Sequence, residues 1–388
     1  MMYNEEYFDE GIYRVGTRSE KWDGLRGRSG NDIVPLWVAD MDFPSPPEVQ
    51  QALLQRAAHG TYGYTEICDD DFTAPMDFWQ RRHGLSLQKE DLIMLPCVIT
   101  GMKLALHAVT EPGDGVIILS PVYGPFRFSI AATGRTLVDC PMIRDENARY
   151  NMDMAAIEAA LKSGAKALML CNPHNPVSRA WSKDELQALI DLLTRYDAYL
   201  ISDEIHADFV YGGDFTPALT LKQDKVISMC AASKTFNLAG LQQALMFCKD
   251  AGIREKINHE IEASGVKSGN LFALAGTRAA YEHGDAWLDG LMAYLDGSRK
   301  MLAELVAEHL PKAVLSPIEA TYLAWLDMRA YGFTSEELQE RTTKAGVAFT
   351  GGPFFGEVPG EGHLRVNFGC PRRYVEEGIL RLKVALEL

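Results

Sequence analysis

Four polar residues that could take part in catalysis follow three short apolar runs of the sequence. Asn175 lies in CNPHNPVSR after ALML, Asp203 and His206 lie in DEIHADFVY after AYLIS, and Lys234 lies in AASKTFN after VISMC. Taken one at a time, each has an ordinary alternative: a residue of a plain turn, a helix-capping carboxylate, a core histidine or a surface lysine. Because functional residues of parallel α/β sheets collect at the carboxyl ends of the strands, we expect all four side chains to share one site.

An amine and a carboxylate at neighbouring strand ends suit a cofactor that carries an aldehyde and a ring nitrogen. Lys234 can form an imine with the aldehyde, and Asp203 can keep the ring nitrogen protonated, so that the ring accepts electrons from a substrate carbanion. Pyridoxal phosphate has both groups. Small and apolar neighbours favour the neutral amine that imine formation requires: Ala231, Ala232, Phe236 and Leu238.

The phosphate of such a cofactor needs a binding site of its own, and the segment LPCVITGMKLALHAV offers one. Val98, Ile99 and Thr100 would lie at the start of a helix, where free backbone amides and the helix dipole favour an anion. The segment has no glycine-rich loop, so it predicts a phosphate site only in combination with Lys234 and Asp203.

The elements that must position these residues alternate between strands and helices from about residue 90 to residue 250. The apolar runs have the length of buried strands, and amphipathic stretches such as SKDELQALIDLLTRY separate them. This alternation predicts a mostly parallel sheet that is covered by helices on both faces. Beyond residue 285 a long helix, two strands and two further helices predict a smaller α+β domain. We therefore predict an N-terminal segment (1–45) that joins the small domain, a large cofactor-binding domain (46–285) and a small C-terminal domain (286–388).

The composition excludes several other classes of protein. The chain has 388 residues and a formal net charge of −15, which opposes binding to nucleic acid or to an anionic membrane. No apolar run approaches the roughly 20 residues of a membrane span, and the acidic N-terminus does not resemble a signal peptide. Seven scattered cysteines without a CxxC motif predict reduced core thiols, no metal site and a cytoplasmic location. A Rossmann dehydrogenase is excluded because it would need a GxGxxG motif after its first strand, and this sequence lacks one.

The sequence resembles the fold-type I enzymes that depend on pyridoxal 5′-phosphate, in the aminotransferase class I/II superfamily. Within that superfamily it is most similar to the MalY/PatB branch of cystathionine β-lyases and related C–S lyases. The similar segments follow one another over nearly the whole chain: VADMDFPSPP, HGTYGYT, SPVYGPF, CNPHNPVSR, SDEIHADFVY, SKTFNLAGLQ, TYLAWLDMR and LRVNFGCPR. The resemblance implies a homodimer whose active sites lie at the subunit interface.

The resemblance also implies a role for individual residues. Lys234 corresponds to the lysine that binds the cofactor covalently, and Asp203 corresponds to the partner of its ring nitrogen. Asn175 and His206 would donate hydrogen bonds to the 3-hydroxyl oxygen, and Tyr123 would stack on the ring. Many aminotransferases of the superfamily have a tyrosine where this chain has His206, so the histidine favours the lyase branch.

Further residues correspond to the family's phosphate and substrate sites. Tyr64 resembles the tyrosine that reaches the phosphate in the neighbouring subunit, and Val98, Ile99 and Ser233 would complete the phosphate site. Arg365 resembles the arginine that binds the substrate α-carboxylate, for which its planar pair of donors is suited. Without the resemblance, Arg365 would be interpreted as a solvated arginine on a strand.

The chain departs from the family pattern at three positions. Related enzymes commonly have a phosphate-binding serine where this chain has Ala231, and many aminotransferases have a phosphate-binding arginine where it has Gln242. The missing hydroxyl at position 231 predicts weaker retention of the cofactor. Ser178 replaces the family's glycine in NPVG, which implies modest strain if the backbone there has a positive φ.

The resemblance favours a β-elimination that splits cystathionine or a cysteine S-conjugate into a thiol, pyruvate and ammonia. The same residues would also serve a transamination, so an aminotransferase for neutral or aromatic amino acids is the alternative. A catalytically inactive relative with a regulatory role is a third hypothesis, which the combination of Lys234, Asp203, Asn175 and Arg365 argues against. Asp40 to Phe43 are expected to border the substrate pocket.

Overall fold

The structure of the protein is a computed structural model that describes residues 3–25, 33–266 and 269–387. Residues 1–2 and 26–32 of the predicted N-terminal segment therefore lie outside the described residues. The helices are α1 (Glu5–Glu10), α2 (Glu20–Asp23), α3 (Pro47–Ala58), α4 (Asp69–His83), α5 (Val98–Val109), α6 (Pro125–Ala132), α7 (Met154–Lys162), α8 (Lys183–Arg195), α9 (Ala218–Leu221), α10 (Ala232–Thr235), α11 (Ala251–Ser264), α12 (Leu271–His283), α13 (Asp285–His309), α14 (Ser335–Lys344), α15 (Glu357–Gly360) and α16 (Arg372–Glu387).

The strands are β1 (Val34–Pro35), β2 (Leu92–Leu95), β3 (Gly115–Ile118), β4 (Thr136–Asp139), β5 (Ile143–Arg144), β6 (Tyr150–Asn151), β7 (Ala167–Cys171), β8 (Tyr199–Asp203), β9 (Val226–Cys230), β10 (Ala244–Phe247), β11 (Val314–Leu315), β12 (Leu323–Asp327), β13 (Val347–Ala348), β14 (Thr350–Gly351) and β15 (His363–Asn367). Short 3₁₀ turns cover Lys89–Asp91, Ala239–Leu241, Arg329–Tyr331 and Gly352–Phe355.

The central sheet has seven strands in the order β2-β10-β9-β8-β7-β3-β4. Strands β9, β8, β7, β3 and β4 run parallel to one another, whereas β10 runs antiparallel to both β2 and β9. Every residue of β7 and β9 is buried, as expected of strands that are covered on both faces. The predicted fold class, a mostly parallel sheet between helices, is confirmed.

Two apolar cores lie on the opposite faces of this sheet. Leu200 and Val226 belong to one core, and their chain neighbours Ile201 and Ile227 belong to the other. This division follows from strand geometry, because successive side chains point to opposite faces. The strands are therefore held from both sides, and their carboxyl ends form a fixed edge.

A second sheet lies in the C-terminal part of the chain, with the strand order β11-β12-β15-β14 and antiparallel pairing throughout. Strand β1 pairs in parallel with β13, so the N-terminal segment is tied to this part of the chain. Gly378 allows α16 to pack closely against the residue that follows β1, since a Cβ atom at position 378 would lie 2.3 Å from the Cδ1 atom of Leu36. The pairing agrees with a small domain that includes the N-terminal segment, although the predicted domain limits stay a prediction.

The turn after β7 connects the two sheets through a buried serine. Ser178 has a φ of 58° and is fully buried, so it occupies the left-handed conformation that the family's glycine suggested. Its hydroxyl donates to the carbonyl of Leu323, and its own carbonyl accepts from the amides of Glu319 and Ala320. These bonds hold the serine in a conformation that costs a non-glycine residue free energy.

Two observations bear on the excluded classes of protein. No helix in the described part of the chain is long and apolar enough to cross a membrane. All seven cysteines are free, and five of them are buried.

Candidate active site

The three strand ends that carry the candidate residues are direct neighbours in the central sheet. Cys171 at the end of β7 pairs with Asp203 at the end of β8, and Asp203 pairs with Met229 of β9. The loop after β7 leads to Asn175, and the turn after β9 forms α10, which carries Lys234. The parallel topology thus brings together residues that are far apart in sequence.

Lys234 lies in the one-turn helix α10 with a partly exposed side chain. Its Nζ atom donates to the carbonyl of Ala39 at 2.5 Å, and the hydroxyl of Tyr322 donates to the same carbonyl at 3.1 Å. Burial and the positive charge of Arg365 lower the pKa of the amine to about 8, against the opposing effects of Asp40 and Asp203. The neutral amine that imine formation requires is therefore far more populated near physiological pH than in an ordinary lysine, although the ammonium form still predominates below pH 8.

Asp203 is almost fully buried, with 6% of its surface exposed. Burial raises the pKa of its carboxyl to about 7, whereas the backbone N–H of Ile205 and the charge on Lys234 act to lower it. One carboxylate oxygen accepts the Ile205 N–H at 3.2 Å. A buried carboxylate in this state is stabilised by a cation placed beside it, such as a protonated ring nitrogen.

His206 is buried behind the strand end, and its ring lies edge-on to Tyr322 at a centroid distance of 5.9 Å. Burial lowers the pKa of the imidazole well below its ordinary value, and the charges of Lys234 and Arg365 add to this effect. The ring is therefore neutral. Within the described residues its Nδ1 atom has no hydrogen-bond partner, which leaves a buried polar atom that a ligand could satisfy.

Arg365 of β15 lies with its guanidinium buried among backbone and side-chain acceptors, and 3% of its surface is exposed. One terminal nitrogen donates to the carbonyl of Trp37 at 2.6 Å and to Thr350 Oγ1 at 3.1 Å, and the other donates to Asn175 Oδ1 at 3.3 Å. Burial lowers the pKa of the guanidinium to about 10. Its Nε atom is also buried without a partner in the part of the chain that the structure describes. A carboxylate would satisfy both the charge and this donor.

Tyr123 follows β3 and is partly exposed, with its ring 5.8 Å from that of Phe354 in an edge-on arrangement. Burial raises the pKa of its hydroxyl, the charge of Arg365 opposes this shift, and the charge of Asp203 adds to it. The charges of both groups thus act on the tyrosine, and its predicted stacking on the cofactor ring stays a prediction.

The predicted phosphate site lies at the start of α5, which packs against β8 and β9. Cys97 occupies the N-cap position and no side chain caps the helix there, so the first amides of Val98, Ile99 and Thr100 remain available. Ser233 of α10 is partly exposed. This arrangement is compatible with an anion at the helix start.

Three positions lie outside the contacts described so far. Tyr64 lies between α3 and α4 with a fully exposed side chain, and its predicted role in a neighbouring subunit stays a prediction. Gln242 is exposed with a φ of 57°. Ala231 is buried at the N-cap position of α10, where no side-chain hydrogen bond caps the turn.

The sequence did not single out Asn237, which connects the lysine turn to the N-terminal segment. Its side-chain amide donates to the carbonyls of Met41 and Phe43 at 2.8 and 3.1 Å, and its oxygen accepts the Met41 N–H at 3.0 Å. Asn237 has a φ of 59°, a conformation that asparagine tolerates better than most residues. Its place three residues after Lys234 was the only signal in the sequence.

Buried charges fix the same N-terminal segment from its other side. Asp42 forms ion pairs with Arg14 and Lys21, each at 2.8 Å, and Arg14 also pairs with Asp40 at 2.6 Å. Lys21 is completely buried. These ion pairs hold the segment that supplies the Ala39 carbonyl to Lys234, and the charge of Asp40 acts on the amine. The expected border of the substrate pocket by Asp40 to Phe43 stays a prediction.

The sequence matches the family described as aminotransferase class I and II over residues 31–382. The chain belongs to this family. It is 38% identical over 98% of its length to cystathionine β-lyase PatB of Bacillus subtilis (strain 168), of which 99% is covered. The predicted family and its cystathionine β-lyase branch are therefore confirmed.

Solved structures with the same fold include two enzymes that contain pyridoxal 5′-phosphate. Cystalysin from Treponema denticola superimposes with a TM-score of 0.92 at 32% identity, covering 97% of this chain and 98% of cystalysin. The C–S lyase from Staphylococcus hominis superimposes with a TM-score of 0.90 at 30% identity, covering 98% of this chain and 97% of the lyase. The family members that this chain resembles in structure thus bind the cofactor that its sequence predicts.

The lowered pKa of Lys234 predicts how its reactivity depends on pH. In the apoenzyme, modification of Lys234 by an amine-specific reagent should be half-maximal near pH 8, because only the neutral amine reacts. Asp203→Asn removes a negative charge that favours the ammonium form and should move the midpoint below 8. Arg365→Met removes a positive charge and should move it above 8. Peptide mapping of the modified protein by mass spectrometry measures each midpoint.

A midpoint near the ordinary lysine value of about 10.4 in the unsubstituted protein would contradict the burial of the amine. Shifts of the same sign in Asp203→Asn and Arg365→Met would contradict the opposing effects of the two charges.

Proposed function

We propose that the protein is a pyridoxal 5′-phosphate-dependent C–S lyase that cleaves L-cystathionine or a related cysteine S-conjugate. The products are a thiol, pyruvate and ammonia. The observation that carries the proposal is the Lys234 amine, which donates to the Ala39 carbonyl and whose pKa is lowered by burial and by the charge of Arg365, against the effects of Asp40 and Asp203. Relatives that bear the name cystathionine β-lyase, and structural neighbours that are C–S lyases, support this function.

The residues present fit pyridoxal phosphate group by group. Asp203 supplies a buried carboxylate for the ring nitrogen, and the neutral His206 supplies an unpartnered nitrogen beside the ring. The uncapped amides at the start of α5 offer a site for the phosphate. Lys234 supplies the amine that joins the aldehyde, and Tyr123 supplies an aromatic face.

The substrate would be held by its α-carboxylate. Arg365 has a buried Nε atom without a partner and a terminal nitrogen that faces Asn175. The unpartnered Nε–H suits a carboxylate oxygen, and the contacts of Arg365 with Trp37 and Thr350 fix the direction of the guanidinium. The carboxylate therefore determines where the substrate Cα lies relative to Lys234.

Lys234 would act as the general base toward the proton on the substrate Cα. When bound, pyridoxal phosphate withdraws electrons from the substrate Cα, which makes the Cα proton acidic. The neutral Lys234 amine accepts that proton, which is consistent with a pKa near the working pH. The resulting ammonium can donate to the Ala39 carbonyl, which already accepts from it at 2.5 Å. The C–S bond then breaks and the thiolate leaves with the bonding electrons, and the Lys234 ammonium can return the proton to it to give the thiol. The remaining unsaturated amine takes up one water and gives pyruvate and ammonia.

The proposal extends to assembly and location. We infer a homodimer with active sites at the subunit interface, supported by the fully exposed Tyr64 and its counterpart role in the family. We also infer a cytoplasmic enzyme that binds no nucleic acid, supported by seven free cysteines and a net charge of −15. The site residues and the domain limits given above belong to the same proposal.

A direct assay tests the reaction. Incubation of the purified holoenzyme with L-cystathionine should release free thiol and pyruvate in equal amounts without any added 2-oxo acid. Lys234→Ala should lower kcat by at least about 10⁴-fold, because the base and the covalent link are both lost. Lys183→Ala, which removes an exposed lysine at the start of α8, should leave kcat unchanged.

Pyruvate that forms only when a 2-oxo acid is supplied would identify the enzyme as an aminotransferase instead. No product under either condition would contradict both the lyase and the alternative.

Cofactor retention tests the departure at position 231. Ala231→Ser restores the hydroxyl that related enzymes direct at the phosphate, so dissociation of the cofactor should slow by about tenfold, as expected for one hydrogen bond to a charged group. Absorbance during dialysis against a carbonyl scavenger measures the rate. Ala239→Ser adds a hydroxyl to an exposed position of the next turn and should have no effect. An unchanged rate in Ala231→Ser would contradict the predicted role of this position.

A further inference from the structure

A chain of three buried polar side chains ends next to Lys234 and has no part in the mechanism described so far. Thr235 Oγ1 donates to Asp208 Oδ2 at 2.6 Å, and the other oxygen of Asp208 lies 2.8 Å from Nε2 of His83. Thr235 is 2% exposed, and the side chains of His83 and Asp208 are 7% and 5% exposed. We call these residues the 83–208–235 chain.

The 83–208–235 chain holds a turn that has little support of its own. Helix α10 is one turn long, no side chain caps its start, and the Phe236 N–H to Ala232 carbonyl bond at 2.9 Å closes it. Such a short helix is not stable by itself. The Thr235 hydroxyl therefore provides a side-chain anchor directly beside the residue whose direction matters.

The end of the 83–208–235 chain that lies away from Lys234, at His83, is rigid. His83 ends the 15-residue helix α4, and its ring packs against Trp79 and Phe215 at centroid distances of 4.8 and 5.3 Å. Asp208 is thus fixed by a histidine that cannot rotate freely, and it transmits that constraint to Thr235. The connection spans 125 residues between His83 and Asp208.

Stability alone does not account for this choice of residues. A carboxylate that is buried with a polar partner loses hydration, and well-packed apolar residues of similar size are often as stable or more stable. Hydrogen bonds differ from apolar contacts in that they fix a direction. A carboxylate with one oxygen on each partner fixes the orientation of α10 relative to α4.

We propose that His83, Asp208 and Thr235 are positioning residues that aim the Lys234 amine at the cofactor aldehyde. The inference rests on the proposed covalent role of Lys234. Imine formation joins the Lys234 nitrogen to the aldehyde carbon and releases one water, so its rate depends on the angle at which the amine is presented. Without the Thr235 hydroxyl, α10 keeps the Asn237 bonds to the N-terminal segment but loses its side-chain link to α4. The turn can then shift relative to α4, and displacements of about 1 Å cost on the order of 100-fold in rate.

Reconstitution of the apoenzyme tests the proposal without relying on turnover. Thr235→Val keeps the shape of the side chain and removes the hydroxyl, so the visible absorbance of the imine should appear about 10- to 100-fold more slowly after mixing with pyridoxal 5′-phosphate. Thr235→Ser keeps the hydroxyl and should react within about twofold of the unsubstituted rate. Pyridoxamine 5′-phosphate has no aldehyde, and its Kd should be unchanged in both variants.

Thr342→Val is the matched control, because Thr342 is also buried and, among the residues that the structure describes, its hydroxyl donates to the carbonyl of Gln339 in its own helix. It should lose stability without slowing imine formation. If Thr235→Val does not fold, Thr235→Cys replaces the hydroxyl by a thiol, a weak donor, and the same slowing is expected.

Imine formation at the unsubstituted rate in folded Thr235→Val or Thr235→Cys would overturn the proposal. Equal slowing in Thr235→Ser and Thr235→Val would also overturn it, because the hydroxyl would then be irrelevant. An unsubstituted enzyme that forms the imine normally but does not cleave cystathionine would contradict the proposed lyase function and leave the positioning role intact.

Discussion

The pKa of the Lys234 amine is set by partial removal from water and by the charges around it, and the chemistry of the site depends on this balance. Burial and Arg365 disfavour the ammonium form, whereas Asp203 and Asp40 favour it, and the resulting pKa of about 8 lies near physiological pH. A fully solvated lysine would be almost entirely protonated there and could neither form an imine readily nor accept a proton. The functional state of the site therefore requires the surrounding structure to hold opposite charges around an amine that is partly removed from water.

Three parts of the polypeptide supply the groups that surround the Lys234 amine. The parallel strands β7, β8 and β9 place Asn175, Asp203 and the lysine turn at one edge of the sheet. The antiparallel sheet of the C-terminal part supplies Arg365, and the N-terminal segment supplies the Ala39 carbonyl that accepts from Lys234. Hydrogen bonds and ion pairs with high sequence separation lock these parts together, so that loss of one contact would alter the direction of the amine as well as the stability of the protein.

Much of this arrangement could be predicted from the sequence, because parallel strands of an α/β sheet are fully apolar and their ends carry the functional residues. Lys234 and Asp203 were identified in this way. Arg365 was different, since nothing in LRVNFG distinguishes a buried arginine from a solvated one, and the resemblance alone assigned it a role. The structure places it at 3% exposure among acceptors. The antiparallel direction of β10 and the contact of Ala39 with Lys234, which are 195 residues apart, leave no local signal in the sequence. The hydrogen-bonded pair of His83 and Asp208 is undetectable for the same reason.

The central claim is that Lys234 carries the cofactor as an imine beside Asp203. Reduction of the coloured holoenzyme with borohydride, followed by peptide mapping, tests it most directly, because reduction converts an imine into a stable amine at the residue that bears it. The account predicts that the cofactor mass appears on the peptide that contains Lys234. A colourless protein after reconstitution, or a label on a different lysine, would contradict the account.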